Sequence, residues 1–159
     1  MNNTTIETPI GKLTLVAEHG FLTKILFENE TLPHPNMVIN DNKDTIVLEK
    51  TTLQLQEYFA GKRKQFDIPL NPQGGDFLQR VWAIMVKDIK FGQTTSYSKL
   101  AEMAQSPKAA RAVGMANNRN PIPIIIPCHR VLGKNGTLVG FRWGMSAKIT
   151  LLQLEGITL

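Results

Sequence analysis

A cluster of turn formers, Asn71-Pro72-Gln73-Gly74-Gly75, constrains this 159-residue chain more than any other feature. Proline fixes its own φ and lacks an amide donor, and paired glycines make continued helix or strand entropically costly. No regular element is expected to run through it. The two sides differ in charge. Residues 1–72 hold 7 Lys/Arg and 9 Asp/Glu, a net of −2; residues 73–159 hold 11 and 4, a net of +7. Two domains, 1–72 and 73–159, are therefore expected. A basic half beside an acidic one points toward nucleic acid, although many basic domains bind none.

Hydrophobic residues make up 42% of the chain and charged residues 19%, a globular composition. The single cysteine excludes an intrachain disulfide and any zinc site built on several thiolates. No metal and no cofactor are expected. No apolar run approaches the roughly 18 residues that span a bilayer. The opening MNNTTIETPI has neither the basic flank nor the apolar stretch of a secretory signal. A soluble cytoplasmic protein without membrane partners is the expectation.

In the first half, Thr4–Thr8, Leu13–Ala17 and Leu22–Phe27 are short β-type runs, with Gly11 and Gly20 at the joins of an antiparallel meander. Residues 31–43, with Pro33 and Pro35, read as a loop, and His19 and His34 as solvated loop histidines. Asp44 is placed to cap a helix over about Thr45–Ala60, with Leu48, Leu55 and Phe59 on one face and Gly61 as its stop. The fold class is α+β: a small antiparallel sheet with one helix, then a mostly helical second half.

In that second half, Asp76 precedes a helix over Phe77–Lys87 with Phe77, Val81, Ile84 and Met85 on one face. Tyr97, Leu100, Ala101 and Ala104 then follow helical spacing, with Ser96 or Thr95 available as N-cap. Ser106-Pro107 is expected to start another helix over 107–118, whose inner face is Ala109, Ala112, Val113 and Ala116. Two short helices joined by a tight turn make a helix-turn-helix candidate. The outer face of the second helix carries Lys108, Arg111, Met115 and Asn118, with Arg119 beside them. Basic groups there can meet phosphates, and small Ala110 and Gly114 let a backbone come close. An ordinary solvated helix face fits the same spacing.

Asn120-Pro121-Ile122-Pro123-Ile124-Ile125-Ile126-Pro127-Cys128-His129-Arg130-Val131 is the segment that carries chemistry. Three prolines bias it toward extended backbone, and its isoleucines need burial, so it delivers Cys128 at the end of a stiff buried arm. Glycines 133, 136, 140 and 144 make the following stretch a loop or hairpin over a pocket. A lone cysteine is commonly a small buried hydrophobe. His129 and Arg130 are of the kind that lower a thiol pKa or accept its proton. Neighbouring side chains in an extended chain point apart, so His129 would need a bridging water or a local turn to serve Cys128. Four acids are available to orient it: Asp76, Asp88, Glu102 and Glu155. Glu155 lies on an apolar closing helix and is either drawn inward or solvated at a frayed end; spacing does not choose.

The run Pro127-Cys128-His129-Arg130-Val131, preceded by Asn120-Pro121 and Arg111-Ala112-Val113-Gly114, resembles the O6-alkylguanine-DNA alkyltransferase family, the methylated-DNA–protein-cysteine methyltransferases. The likeness spans about residues 77–155 and includes Val81-Trp82, Gly92-Gln93-Thr94, Ser96-Tyr97, Gly140-Phe141-Arg142-Trp143-Gly144, Lys148 and Leu151-Leu152. It implies a ribonuclease-H-like N-terminal domain and a winged-helix-like C-terminal one. It further implies irreversible, single-turnover transfer of an alkyl group from O6 of guanine, with O4 of thymine open, to Cys128. By resemblance, His129 acts through water as base, Glu155 orients it, Tyr97 donates to the departing base, and Asn120 holds the active-site turn. Val131, Phe141, Arg142 and Trp143 line the substrate pocket: the carbonyls of Cys128 and Val131 read the guanine amino group, and the Arg142 amide approaches O6. Arg111 fills the stack of double-stranded DNA after the base flips toward the minor groove, with Ser96, Thr95, Lys108, Ala110, Gly114, Met115 and Arg119 in the DNA contact. Phe141 replaces a tyrosine common in the family, and Trp143 stands where some members carry a small residue. The resemblance further implies a monomer acting at the nucleoid, with clustering on DNA open. Non-catalytic binders of alkylated bases replace the cysteine, which is present here; a helix-turn-helix regulator and a cysteine hydrolase are the remaining alternatives.

Overall fold

The computed structural model describes residues 1–32 and 41–159, which form two compact units, Met1–Gln73 and Gly74–Leu159. The first unit opens with three antiparallel strands in the order β1-β2-β3: β1 (Asn2–Thr8), β2 (Gly11–Glu18) and β3 (Phe21–Leu26). The β2–β3 connection is two residues long, with His19 at φ 54° and Gly20 at φ 82°. Positive φ at both positions is the mirror-image turn whose twist matches a hairpin. A register shift at Val16/Ala17 turns two consecutive residues inward, so Leu13, Leu15, Val16 and Ala17 are all buried.

Helix α1 (Asn42–Phe59) packs its Val47, Leu48, Leu55 and Tyr58 into the core. It starts earlier than the sequence pattern indicates, because Asp41 is the N-cap and accepts from Lys43 N at 2.9 Å. Asp44, the expected cap, is buried inside the first turn. Its carboxylate accepts from Gly20 N at 2.7 Å and Asn2 Nδ2 at 3.0 Å, tying α1 to the sheet. Tyr58, fully buried, takes the place expected of the half-buried Phe59. At the far end Lys62 N reaches Glu57 O and Gly61 N reaches Tyr58 O, with Gly61 at φ 76°. That is the Schellman stop glycine makes cheap. Of the loop expected over 31–43, residues 42 and 43 belong to α1, whereas Pro33, His34 and Pro35 lie outside the described residues. His19 is exposed.

The second unit is mainly helical: α2 (Asp76–Asp88), α3 (Tyr97–Met103), α4 (Ala110–Asn118) and α5 (Met145–Leu154). Trp82 on α2 is buried, and its Nε1 donates to Ala116 O on α4 at 2.9 Å. A β-carbon at Gly74 would sit 2.7 Å from the Trp82 ring, so this glycine of the sequence break is also a packing requirement. The buried face of α2 is Val81, Trp82 and Met85, with Phe77 and Ile84 at its margin. Ser96 caps α3, accepting from Lys99 N at 3.1 Å. Ser106-Pro107 does not start α4; Ala109 N closes a turn onto Ser106 O at 2.8 Å, and the helix begins at Ala110 without a side-chain cap. Strands β4 (Thr95–Ser96) and β5 (Val131–Leu132) form a two-residue parallel ladder, Thr95↔Val131 and Ser96↔Leu132. That short ladder brings the start of α3 beside the cysteine segment. No helix among the described residues is long and apolar enough to cross a membrane.

Candidate active site

The proline-rich segment is not the extended arm its prolines suggest. Ile126 N donates back to Ile122 O at 3.0 Å, and Ile124 sits at φ 76°. That region costs a β-branched residue on the order of 1–3 kcal/mol, so the surroundings must over-determine it. Asn120 does so from inside the turn. Fully buried, it accepts from Ile122 N at 2.9 Å and donates to Ile126 O at 2.8 Å. Ile122, Ile124, Ile125 and Ile126 are all buried around it. The turn feeds Cys128 into a single 3₁₀ turn, Cys128–Arg130, all three residues of which are buried.

Within that turn His129 and Arg130 converge on Glu155, which caps the C-terminal end of α5 and is 4% exposed. His129 Nε2 lies 2.6 Å from Glu155 Oε2, and Arg130 grips both carboxylate oxygens, Nε to Oε1 at 2.7 Å and Nη2 to Oε2 at 3.1 Å. Arg130 Nη1 is spent on Ile89 O at 2.6 Å. Burial pushes the Glu155 carboxyl up, but hydrogen bonds and charge from His129 and Arg130 outweigh it and hold the group at about 2. Burial, partly opposed by Glu155, pushes the His129 pKa below its ordinary value. The resting pair is therefore carboxylate and neutral imidazole. The proton must sit on Nε2, and the buried Nδ1, which has no partner, is a bare acceptor.

The Cys128 thiol is pushed up to about 12 by burial, opposed by a hydrogen bond with the Asn120 side chain and by the charges of Lys148 and Arg142. Arg130, read from sequence as a neighbour that acidifies the thiol, serves Glu155 instead. Lys148 was legible only as a residue of the family pattern. It is fully buried on α5, and its Nζ donates to Val131 O at 2.9 Å and Val139 O at 3.3 Å. A lysine inside the apolar helix Met145–Leu154 is the signal that could have marked it.

Tyr97 is the first residue of α3 and half-buried; burial raises its pKa, while a hydrogen bond with the Asn117 side chain lowers it. Val131 is buried in β5. Phe141 and Trp143 meet edge to face at 5.0 Å between centroids, and the Arg142 guanidinium lies 4.7 Å over the Trp143 ring. Arg142 Nη1 also donates to Asn118 O at 3.0 Å, joining this loop to the end of α4.

On α4, Arg111, Met115 and Asn118 are exposed and share one face, flanked by exposed Lys108 and Arg119. Ala110 and Gly114 are half-buried at its edge. Ser96 has its hydroxyl committed to the α3 cap. Thr95, expected at the DNA-facing surface, is 8% exposed, and its Oγ1 is buried without a partner. Pairing of Thr95 with Val131 in the parallel ladder carries it inward. No cluster of three or more His, Cys, Asp or Glu that could hold a metal occurs among the described residues.

Comparison with known proteins matches residues 1–72 to the ribonuclease-like domain, and residues 76–157 to the DNA-binding domain, of 6-O-methylguanine DNA methyltransferases. The constitutive methylated-DNA–protein-cysteine methyltransferase of Bacillus subtilis is 42% identical over 98% of this chain and 95% of its own. The Methanosarcina acetivorans protein of the same name is 41% identical over 94% and 95%. The crystal structure of Mycobacterium tuberculosis OGT in complex with DNA superposes with a TM-score of 0.86 at 41% identity, covering 98% of this chain and 92% of that one.

Proposed function

The chain belongs to the 6-O-methylguanine DNA methyltransferase family, and we propose that Cys128 is the residue its reaction consumes. The protein performs direct-reversal DNA repair as a methylated-DNA–protein-cysteine S-methyltransferase, moving an alkyl group from O6 of guanine in DNA to cysteine sulfur. Cys128 is the one cysteine of the sequence. A thioether is not hydrolysed, so each molecule acts once.

One observation carries the assignment of roles: a neutral His129, braced by Glu155, presents a bare Nδ1 in the turn that holds the buried thiol. A thiol near 12 is almost entirely protonated at neutral pH and needs a base. His129 Nδ1 takes that proton through a bridging water, and Glu155, held in place by Arg130, stabilises the resulting imidazolium. Lys148 and Arg142 favour the thiolate. Sulfur attacks the O6-bound carbon in line; the S–C bond forms as the C–O6 bond breaks, and the electron pair passes into the guanine ring. Tyr97 donates to the departing base, while the carbonyls of Cys128 and Val131 read its amino group and the Arg142 amide approaches O6.

A buried thiol cannot reach a stacked base, so the nucleotide flips, at a cost of a few kcal/mol that is smallest for a damaged pair. Arg111 on the exposed face of α4 fills the gap, and the small residues Ala110 and Gly114 suit entry from the minor groove. Trp143 narrows the pocket, so O6-methylguanine reacts faster than O6-benzylguanine, and O4-methylthymine, lacking the amino group, is the poorer substrate. The work is done in the cytoplasm, at the DNA.

Intact-mass measurement after incubation with duplex DNA carrying O6-methylguanine tests this reading. A gain of about 14 Da, one added CH₂, mapped to Cys128 is expected. An unchanged mass under saturating DNA sinks it and leaves the binding-only reading.

A further inference from the structure

Gly144 N donates to Phe141 O at 2.9 Å, which closes Phe141-Arg142-Trp143-Gly144 as a tight turn with Arg142 and Trp143 at its two corners. Gly144 is also the N-cap of α5, and Lys148 N reaches back to its carbonyl at 3.3 Å. The backbone of the turn is therefore fixed to α5. What remains to be decided is what fixes the two corner side chains.

Two groups touch the half-buried Trp143 indole. The Phe141 ring meets it edge to face with 5.0 Å between centroids, and the Arg142 guanidinium lies 4.7 Å over it. Arg142 Nη1 at the same time donates to the carbonyl of Asn118, the last residue of α4, at 3.0 Å. Carbonyls at a helix C-terminus lack intrahelical donors and carry the negative end of the helix dipole, so a guanidinium suits the place. One planar cation can make both contacts, because its N–H groups lie in its plane and its face is left for the ring. Phe141 is anchored from the other direction. The fully buried Lys148 has its Nζ 5.9 Å over the Phe141 ring and donates to Val131 O at 2.9 Å. Val131 directly follows the turn Cys128–Arg130. Contacts thus run unbroken from the reacting turn through Lys148, Phe141, Trp143 and Arg142 to α4.

We infer that Arg142 is a specificity-determining residue for alkyl transfer, its side chain pinning the Trp143 indole to the end of α4 and so setting how large an O6 substituent the pocket admits. The inference rests on the reading of Trp143 as the residue that narrows the pocket. An indole free to change rotamer swings aside for a benzyl group; a pinned one must first leave its stack on Arg142. A methyl group asks for no such movement. Removing the Arg142 side chain therefore raises the benzyl rate against the methyl rate, and its backbone amide, the group that approaches O6, is kept. The Arg142 charge also favours the thiolate, but its loss slows both substrates alike, so the ratio of rates isolates the pin.

The test is single-turnover transfer to the full chain from two duplexes that are identical except that one carries O6-methylguanine and the other O6-benzylguanine. The benzyl-to-methyl ratio is compared between variants, so the intrinsic reactivity of the two groups cancels. Arg142→Ala is expected to raise the ratio about fivefold. Arg142→Lys, which keeps the charge and loses the planar fork, is expected to raise it too. Trp143→Ala should raise it at least as far, and adding Arg142→Ala to Trp143→Ala should change it no further. Acrylamide quenching supplies a readout independent of rate. Of the two tryptophans Trp82 is 1% exposed, so quenching reports Trp143 and should increase in both Arg142 variants. An unchanged ratio in Arg142→Ala, an equal further rise in the Trp143→Ala background, or a raised ratio with unmoved quenching would overturn the inference. If Trp143→Ala by itself leaves the ratio at the wild-type value, the reading of Trp143 as the narrowing residue fails, and this inference with it. Increased quenching in Arg142→Ala would then show that the pin holds the indole but does not set the pocket.

Discussion

The two units solve the problem of buried polarity in opposite ways. Among the described residues of Met1–Gln73 the buried polar side chains are paired. Asp44 takes Gly20 N and Asn2 Nδ2, Thr51 bonds Val47 O at 2.7 Å, and Gln54 exchanges hydrogen bonds with the Asp67 backbone. In Gly74–Leu159 lie all three buried, partnerless side-chain atoms of the described residues, together with the strained Ile124 and the buried Arg130, Lys148 and Glu155. A scaffold minimises such frustration. A site that must move a proton and receive a base keeps open acceptors and stores charge out of water.

Cys128→Ser tests that contrast hardest. Transfer is expected to vanish while DNA affinity stays within about twofold, since α4 carries the basic face. A folded Cys128→Ser protein that no longer binds DNA would break the division between reacting turn and binding helix.

Glu155→Gln comes next. It leaves Arg130 buried without its counter-charge and His129 without its carboxylate. A loss of about 3–5 kcal/mol in stability is expected by denaturant titration, with transfer per folded molecule down about 100-fold. The same groups set the acid limb. Both His129 and Glu155 have depressed folded pKa values, so each contributes stability above its unfolded value that is lost as pH falls. Stability should fall first below the ordinary histidine value of 6.5 and again between 4.5 and about 2. Transfer per folded molecule should decline only at lower pH than that first step, once the folded-state His129 takes up its own proton. A folded His129→Gln protein that transfers at the wild-type rate would remove His129 as the base.

Arg111→Ala has a smaller expected effect. Transfer on duplex DNA slows about tenfold, and the reaction with free O6-benzylguanine base is unchanged, because only the flipped state needs the stack filled. Equal slowing on both substrates would move Arg111 from the DNA face into the pocket.

Asp44→Asn is the control from the other unit. Losing a buried, charge-assisted bond to Gly20 N should cost about 1–3 kcal/mol by thermal denaturation, with the transfer rate of folded protein unchanged. A rate change would show that the first unit is more than a scaffold.

Much of this was legible in the chain. The break at 71–75, the strand runs and the helical spacing of α2 to α4 depend on local preferences, and local preferences are written residue by residue. So were the cysteine motif and the exposed basic face. Errors fell where a side chain had a distant partner. Asp44 looked like a cap and is a tie to the sheet; Arg130 looked like the thiol's cation and is the clamp on Glu155. Ser106-Pro107 looked like a helix start, but a turn onto Ser106 O delays α4 to Ala110.

The sequence by itself determined that this chain has one thiol, a basic helical half and a proline-stiffened approach to Cys128. Tertiary structure decided which acid of four braces His129, because burial at the end of α5 and the Arg130 fork are contacts 25 and 26 residues apart in the chain. It also decided that the proline segment folds back on Asn120 and that the β4–β5 ladder sets Tyr97 near Cys128. Spacing encodes what a residue does to its neighbours in sequence. Desolvation, paired charges and orphaned acceptors exist only once distant segments exclude water from the same place.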